Sequence, residues 1–298
     1  MRLPPATHLL AAALLAAAAC ERPGSERPPA GSTCRPPPAR SPGLWIAGSG
    51  TNLALTRAIA ARWSERGQAP RVVVPESIGT SGALQALAEG AIDVGLASRP
   101  LTPAERLAGL HETPLARVAF APVVGSALPL EDLSSAELAA LFDGARPGRW
   151  PAGVPVAPVL REPRDSGYLL LGSHFPAVGA ALQRARASGR WPVRYTDQEM
   201  RDTLLSLDGA VGLLDVATVR LEGRSLKPLS LDGVAPTAEN VRAGRYPLVR
   251  PLSFVTRGAP SGDAARFLSF ALSDEVSDLF AAGELVRGGG ASVAEEGR

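Results

Sequence analysis

From Leu44 onward the chain repeats one local pattern: a short apolar run, a turn of Gly, Ser and Thr, then apolar residues at helical spacing. Leu44-Trp45-Ile46-Ala47 leads into Gly48-Ser49-Gly50-Thr51 and then into a stretch carrying Leu53, Leu55, Ile59, Ala60 and Trp63 on one face. Arg71-Val72-Val73-Val74 leads into Gly79-Thr80-Ser81-Gly82 and then into Leu84, Leu87 and Ala88. Ala91 to Leu96 is a third run, ending at Ala97-Ser98-Arg99-Pro100. Strand and helix alternating at this pace restrict the body to an α/β domain with a largely parallel sheet, because each crossover helix must cover a sheet face.

The rest of the body continues the pattern. Thr102-Pro103-Ala104-Glu105 joins an N-cap threonine, a first-turn proline and a Glu three residues after the cap, and so predicts a helix start; Ser134-Ser135-Ala136-Glu137 caps a short helix over 138–142. Two long apolar strands are expected at 115–124 and 246–256, and further strands at 154–160, 210–214 and 226–231. Helical stretches fall near 169–171, 177–185 and 198–205, and two helices, 262–272 and 274–282, close the fold ahead of a disordered tail. No internal repeat is present.

Composition excludes several function classes. Lys+Arg 31 against Asp+Glu 29 leaves a net charge of +2, which lacks the basic excess of a nucleic-acid binder. With 3 His and 2 Cys there is no disulfide framework, cysteine-based zinc site or iron–sulfur cluster. Aromatics at 5% leave little for stacking bases or sugars. There is no Gly-x-x-x-x-Gly-Lys-Ser/Thr loop, no Gly-x-Gly-x-x-Gly, and no Gly-x-Ser-x-Gly elbow, and His111 and His174 read as surface histidines. The chain is expected not to be an enzyme and to need neither metal nor cofactor.

The alanines and prolines crowd into the first forty-odd residues. Leu9 to Ala19 is an apolar run of signal-peptide length, well short of the roughly 20 residues that span a bilayer. It ends Ala17-Ala18-Ala19-Cys20, like a bacterial lipobox, so residues 1–19 read as a signal peptide and Cys20 as the lipidated residue. Residues 20–43, with Pro28-Pro29 and Pro36-Pro37-Pro38, read as a semi-stiff tether that cannot bury a core. Cys34 sits in that tether with no catalytic role; without acylation it could bridge to Cys20.

Four polar turns each follow a strand and precede a helix: Ser49-Gly50-Thr51, Thr80-Ser81-Gly82, Ser98-Arg99, and Arg161 through Arg164-Asp165-Ser166-Gly167. In an open α/β sheet such turns gather beyond the carboxyl ends of the strands, where ligands bind. Helix N-termini, hydroxyls and arginine forks together make a donor-rich, cationic surface suited to a tetrahedral anion.

The body, from about Leu44 to Glu284, resembles the phosphate-binding proteins of phosphate ABC importers, within the type 2 periplasmic-binding-protein fold. The stretches that carry the resemblance are 77–101 (Ser-Ile-Gly-Thr-Ser-Gly-Ala through Ala-Ser-Arg-Pro-Leu), 133–144, and 231–237 continuing to Gly244-Arg-Tyr-Pro-Leu248. The resemblance implies a two-lobed fold with a two-strand hinge: lobe one at 44–122 plus 254–298, lobe two at 123–253, and hinge strands near 119–124 and 251–255. It implies anion ligands at Thr51 with Asn52, at Thr80 and Ser81, at Ser98 and Arg99, and at Arg161 with Ser166 and Gly167; Ser49, Gly50, Arg164, Asp165 and Tyr168, which lie in the same turns, complete the candidate anion-binding set. Asp93 matches a family residue and is expected to be structural.

Three departures mark this chain. The family's lobe-two motif is commonly Arg, three residues, then Ser-Gly-Thr, whereas four residues separate Arg161 from Ser166 here. Tyr168 stands where Thr is expected, and Ser98 where some phosphate binders carry an acidic proton acceptor, a part Asp165 could take. The expected function is a monomeric, lipid-anchored, extracytoplasmic protein of the periplasm or cell surface that hands phosphate or a similar oxyanion to ABC permease subunits. The alternative is a degenerate binding-protein fold acting as a surface sensor or interaction module, without transport.

Overall fold

The computed structural model describes residues 41–67, 70–144, 150, 153–222 and 225–288. Two compact units divide the chain, Met1–Ser41 and Pro42–Arg298, and every element that follows belongs to the second. The signal peptide, Cys20, Cys34, nearly all of the tether and the tail from 289 lie outside the described residues.

In chain order the elements are β1 (Leu44–Gly48), α1 (Gly50–Ser64), β2 (Val72–Val73), α2 (Gly79–Ala88), β3 (Val94–Ala97), α3 (Pro103–Leu107) and β4 (Leu110–Gly125). There follow β5 (Asp132–Leu133), α4 (Ser135–Asp143), β6 (Ala157–Pro158), β7 (Leu160–Arg161), α5 (Ser166–His174), α6 (Pro176–Ser188), β8 (Val193–Arg194) and α7 (Asp197–Ser206). Then come β9 (Ala210–Asp215), α8 (Val216–Glu222), β10 (Leu226–Pro228), β11 (Ser230–Leu231), α9 (Ala238–Arg242), β12 (Val249–Arg257) and α10 (Gly262–Leu272). A 3₁₀ turn at Asp274–Val276, α11 (Ser277–Ala282) and β13 (Val286–Arg287) complete the body.

Among the described residues the central sheet runs β2-β1-β3-β12-β4-β9-β6, with β10 and β13 also on β4. The expectation of a largely parallel sheet is corrected here. β1 pairs with β2 and β3 in parallel, and β6 with β9, but β12 is antiparallel to both β3 and β4, and β4 is antiparallel to β9, β10 and β13. The long strand β4 is the spine of this mixed sheet. Up to Ala119 it pairs with β12; from Phe120 it pairs with β9. The change of partner at 119/120 divides the sheet into two halves joined through one continuous strand, in a two-lobed α/β body.

Core packing follows the apolar faces. Leu53, Leu55 and Ile59 of α1 are fully buried, and Trp63 packs edge-on against Phe267 of α10 at 5.7 Å. In the other half, Leu138, Leu141 and Phe142 of α4 and Val178, Ala181 and Leu182 of α6 are buried in the same continuous core. The helix starts expected at Thr102 and Ser134 both form full capping boxes, and Thr196 with Glu199 forms a third on α7; such caps are worth ~1 kcal/mol each. Asp93 accepts the amide of Trp45 at 2.7 Å and so ties β3's approach to β1. His111 and His174 are both exposed. Among the described residues no helix is long and apolar enough to cross a membrane.

Candidate anion site

The site begins where β1 ends. Ser49 occupies the N-cap of α1 but makes no side-chain cap; its hydroxyl instead donates to Ser98 Oγ at 2.9 Å. The first turn of α1 therefore has no side-chain cap, the Asn52 amide donating to Ser49 O at 3.2 Å, and it brings Thr51 and Asn52 into full burial. Thr51 Oγ1 is buried with no hydrogen-bond partner. Asn52 is structural at its nitrogen, donating to Ala97 O and Ser253 O, while its Oδ1 has no partner.

Ser98, at the end of β3, is the meeting point. Its amide donates to Thr80 Oγ1 at 3.2 Å, and its hydroxyl lies 3.4 Å from Ser166 Oγ at the start of α5. Turns from both halves of the sheet therefore touch through hydroxyls. Ser81, one residue beyond Thr80, is exposed.

Arg250 holds these hydroxyls together, and the sequence reading did not include it. From β12 its Nη2 donates to Ser98 Oγ and to Ser166 Oγ, each at 2.8 Å. Its Nε and Nη1 are buried and have no partner, although the residue is only 3% exposed. A buried guanidinium with two unsatisfied edges is costly in a protein interior. The available signal was an arginine inside an apolar strand, where a charge is almost never buried unpaired.

The second buried arginine is engaged differently. Arg161 binds Asp165 Oδ2 through Nη2 at 2.9 Å and through Nε at 3.2 Å, and its Nη2 lies 3.6 Å from Asp197 Oδ1. Burial works against its charge, but Asp197 and Asp165 outweigh that and raise its pKa further. Only Nη1 is left without a partner. Asp165 in turn caps α5, accepting from the amides of Gly167 and Tyr168 at 3.0 Å each. Burial pushes its carboxyl up, yet Arg161 and Arg250 hold it below the usual carboxylate range. The amides of Gly167 and Tyr168 thus already serve an internal carboxylate, which leaves the Ser166 hydroxyl as this turn's contribution to the cluster.

Asp197, at the start of α7, also escaped the sequence reading. Its carboxylate presses on Gly50 so closely that a Cβ there would lie 2.2 Å from Oδ2, which only glycine allows. Gly167 is constrained in the same way, since a Cβ would stand 2.6 Å from the Phe120 ring. The guanidinium of Arg250 lies over that same Phe120 ring, 5.3 Å from its centroid.

Three expected ligands stand apart. Arg99 is paired bidentately with Glu105, at 2.9 and 2.8 Å. Arg164 is exposed. Tyr168 is buried and donates its hydroxyl to Val159 O at 3.1 Å, so that hydroxyl points into the half of the sheet behind α5; burial raises its pKa. Among the described residues no group of His, Cys, Asp and Glu could hold a metal ion.

The comparisons with known proteins agree with this architecture. The chain is 26% identical over 277 residues to the phosphate-binding protein PstS of Bacillus subtilis, covering 90% of this chain and 88% of the relative. A Clostridium perfringens protein assigned to phosphate ABC transport, solved with bound phosphate, superposes with a TM-score of 0.67 at 22% identity, covering 83% of this chain and 99% of that one. The periplasmic molybdate-binding protein of Azotobacter vinelandii superposes at 0.57 with 14% identity, over 82% and 98% of the two chains. A family model described as the PBP superfamily domain matches residues 27–275. By that match the chain belongs to the PBP superfamily.

Proposed function

We propose that this protein captures phosphate or a closely similar tetrahedral oxyanion outside the cytoplasm and delivers it to the permease subunits of an ABC importer. The observation that carries the reading is the Arg250 guanidinium, buried beside the hydroxyls of Ser49, Ser98 and Ser166 with Nε and Nη1 unsatisfied. A tetrahedral oxyanion would accept from those edges, from Thr51 Oγ1, from Arg161 Nη1 and from the uncapped first turn of α1. The PstS relative and the phosphate-bound structural neighbour support the same ligand class.

In this reading the lobes, 44–122 plus 254–298 and 123–253, close on the anion, and the crossing at Ala119/Phe120 is one strand of the hinge. Cys20 carries a lipid and the proline-rich segment tethers the body to a bacterial membrane. The mechanism is desolvated capture, with no bond made or broken.

Titration calorimetry with phosphate, arsenate, sulfate and molybdate tests the reading. Heat with phosphate or arsenate, lost when Arg250 is replaced by Gln, is the expected result. Absence of heat with all four overturns it. The internal engagement of Arg161 and Asp165 favours one second reading, a binding-protein fold without transport. That reading expects no anion-dependent rise in Tm together with a membrane protein partner recovered by pull-down.

A further inference from the structure

Asp215, the last residue of β9, is completely buried and lies outside the set of groups that would touch an anion. It stands opposite Phe120 in the β4–β9 register, at the point where β4 changes partners, and so shares a sheet face with the ring on which Arg250 stacks. Its carboxylate accepts the amide of Thr218 at 2.8 Å and the Thr218 hydroxyl at 3.0 Å. The charged groups that bear on it are Asp197 on α7 and Arg250 on β12; from α8 it meets the hydroxyl of Thr218, and Phe120 on β4 is uncharged. Beyond these, Asp197 is tied to Arg161, and Asp165 feels both Arg161 and Arg250.

This buried cluster holds three carboxylates, Asp165, Asp197 and Asp215, against two guanidiniums, Arg161 and Arg250. Arg161 is shared between Asp165 and Asp197. A charged Asp215 is made tolerable first by the Thr218 amide and then by the field of Arg250, the one guanidinium that bears on it. An incoming anion takes hold of that same guanidinium, offsets its field, and adds negative charge to a set already one carboxylate in excess.

We infer that Asp215 is a proton-uptake site coupled to anion capture: when an oxyanion engages Arg250, one proton passes from solvent to the Asp215 carboxyl. The proton enters while the cleft is open and stays on the carboxyl once the anion is held. Burial, then the nearby Asp197, push this carboxyl up to about 7 in the unliganded protein, against the pull of Thr218 and Arg250. Capture then tightens as the surroundings acidify through neutrality, and deprotonation of Asp215 loosens the closed form. The inference rests on the anion-capture reading above and assigns the regulation of that site.

Titration of phosphate into the protein at about pH 7.5, in buffers of different ionisation enthalpy, counts the protons taken up per anion bound. Phosphate exchanges protons of its own, and that part is common to wild type and Asp215→Asn. The expected result is a count lower by a large fraction of one proton in D215N. An equal count in the two proteins overturns the inference while leaving anion capture standing; absence of phosphate heat in wild type overturns both. Because D215N could fold poorly, the wild type also supplies a direct readout by carboxyl NMR of ¹³C-labelled aspartate. There the Asp215 resonance should keep its protonated position to higher pH with phosphate present than without. A titration curve unmoved by phosphate rules the inference out.

Discussion

The Arg250 guanidinium stacks on the Phe120 ring, 5.3 Å from its centroid, and the same ring walls off Gly167. One aromatic side chain at the crossing of β4 thus braces the cation from β12 and the turn that presents Ser166. Cation–π contacts at desolvated sites are worth about 2 kcal/mol. Gly167→Ala would force a Cβ to within 2.6 Å of the ring, so the ring must move and Arg250 with it. Phosphate affinity measured by calorimetry is expected to fall at least about tenfold in Gly167→Ala and less in Phe120→Leu. The double variant should recover part of the loss, because the leucine opens the space the new methyl needs. Strictly additive losses would mean that the two residues do not act through one contact.

The two buried arginines should respond differently to substitution. Arg250→Lys keeps the charge but cannot reach both Ser98 and Ser166 while meeting an anion. Affinity should drop roughly a hundredfold, about two steps of 1.4 kcal/mol. Arg161→Ala instead strands two buried carboxylates, Asp165 and Asp197, and breaking such a buried network costs about 3–5 kcal/mol. Thermal unfolding should therefore show the larger loss of Tm for Arg161→Ala. A Tm for that variant equal to wild type would mean that the pairing with Asp165 and Asp197 is not structural.

Ser49, Thr51, Thr80, Ser98 and Ser166 were legible in the sequence because a Gly/Ser/Thr turn between an apolar run and a helical stretch has one natural place, the carboxyl edge of a sheet. The helix starts at Thr102 and Ser134 were legible because a capping box is a local signal. Arg250 was not, since its strand reads as a continuous apolar run and nothing local says which residues will face it across 152 positions of chain. The mixed direction of the sheet escaped for a similar reason: apolar runs report burial, while strand polarity is decided by the connections. Asp197 and Asp215 read as an ordinary helix start and strand end, and only folding brings them near the arginines. The pairing of Arg161 with Asp165 is an internal brace between residues four apart, in a stretch whose conformation the turn itself determines, and it leaves Arg161 Nη1 open.

Arg99 supplies a contrast, because Glu105 already holds both edges of its fork. Arg99→Ala should leave phosphate affinity within about twofold, the scale of a lost weak, solvent-screened contact. Its effect belongs to stability. The hydrogen-bonded Arg99, working against partial burial, holds the Glu105 carboxyl down to about 2 from its ordinary 4.5. A depressed carboxyl contributes stability above its unfolded value and loses it as pH falls from 4.5 toward 2. Both side chains are partly exposed, so the contribution is under about 1 kcal/mol. Chemical denaturation at pH 7 and pH 2.5 should show a small deficit for Arg99→Ala that shrinks in acid; a large loss of phosphate affinity would return Arg99 to the anion site.

Asp215 should leave the opposite mark on the stability profile. Its carboxyl is raised from 3.8 to about 7, chiefly by burial, so the folded state holds a proton that the unfolded chain releases. Between those two values the unfolded state binds fewer protons, and stability falls as pH rises, by about 1.4 kcal/mol per pH unit at most. Below 3.8 both states are protonated and the advantage is complete; above 7 the charged carboxylate is buried in the fold and the loss levels off. Carboxyls lowered by arginine partners, such as Glu105 and Asp165, work in the reverse sense and mainly at lower pH. The difference between wild type and Asp215→Asn isolates the effect, since asparagine can still accept the Thr218 amide but cannot ionise. Urea unfolding from pH 4.5 to 8.5 should find wild type losing ground to Asp215→Asn steadily up to about pH 7 and then running parallel to it. Parallel profiles across the whole range would mean that Asp215 is ionised throughout, with Arg250 compensating its charge in full.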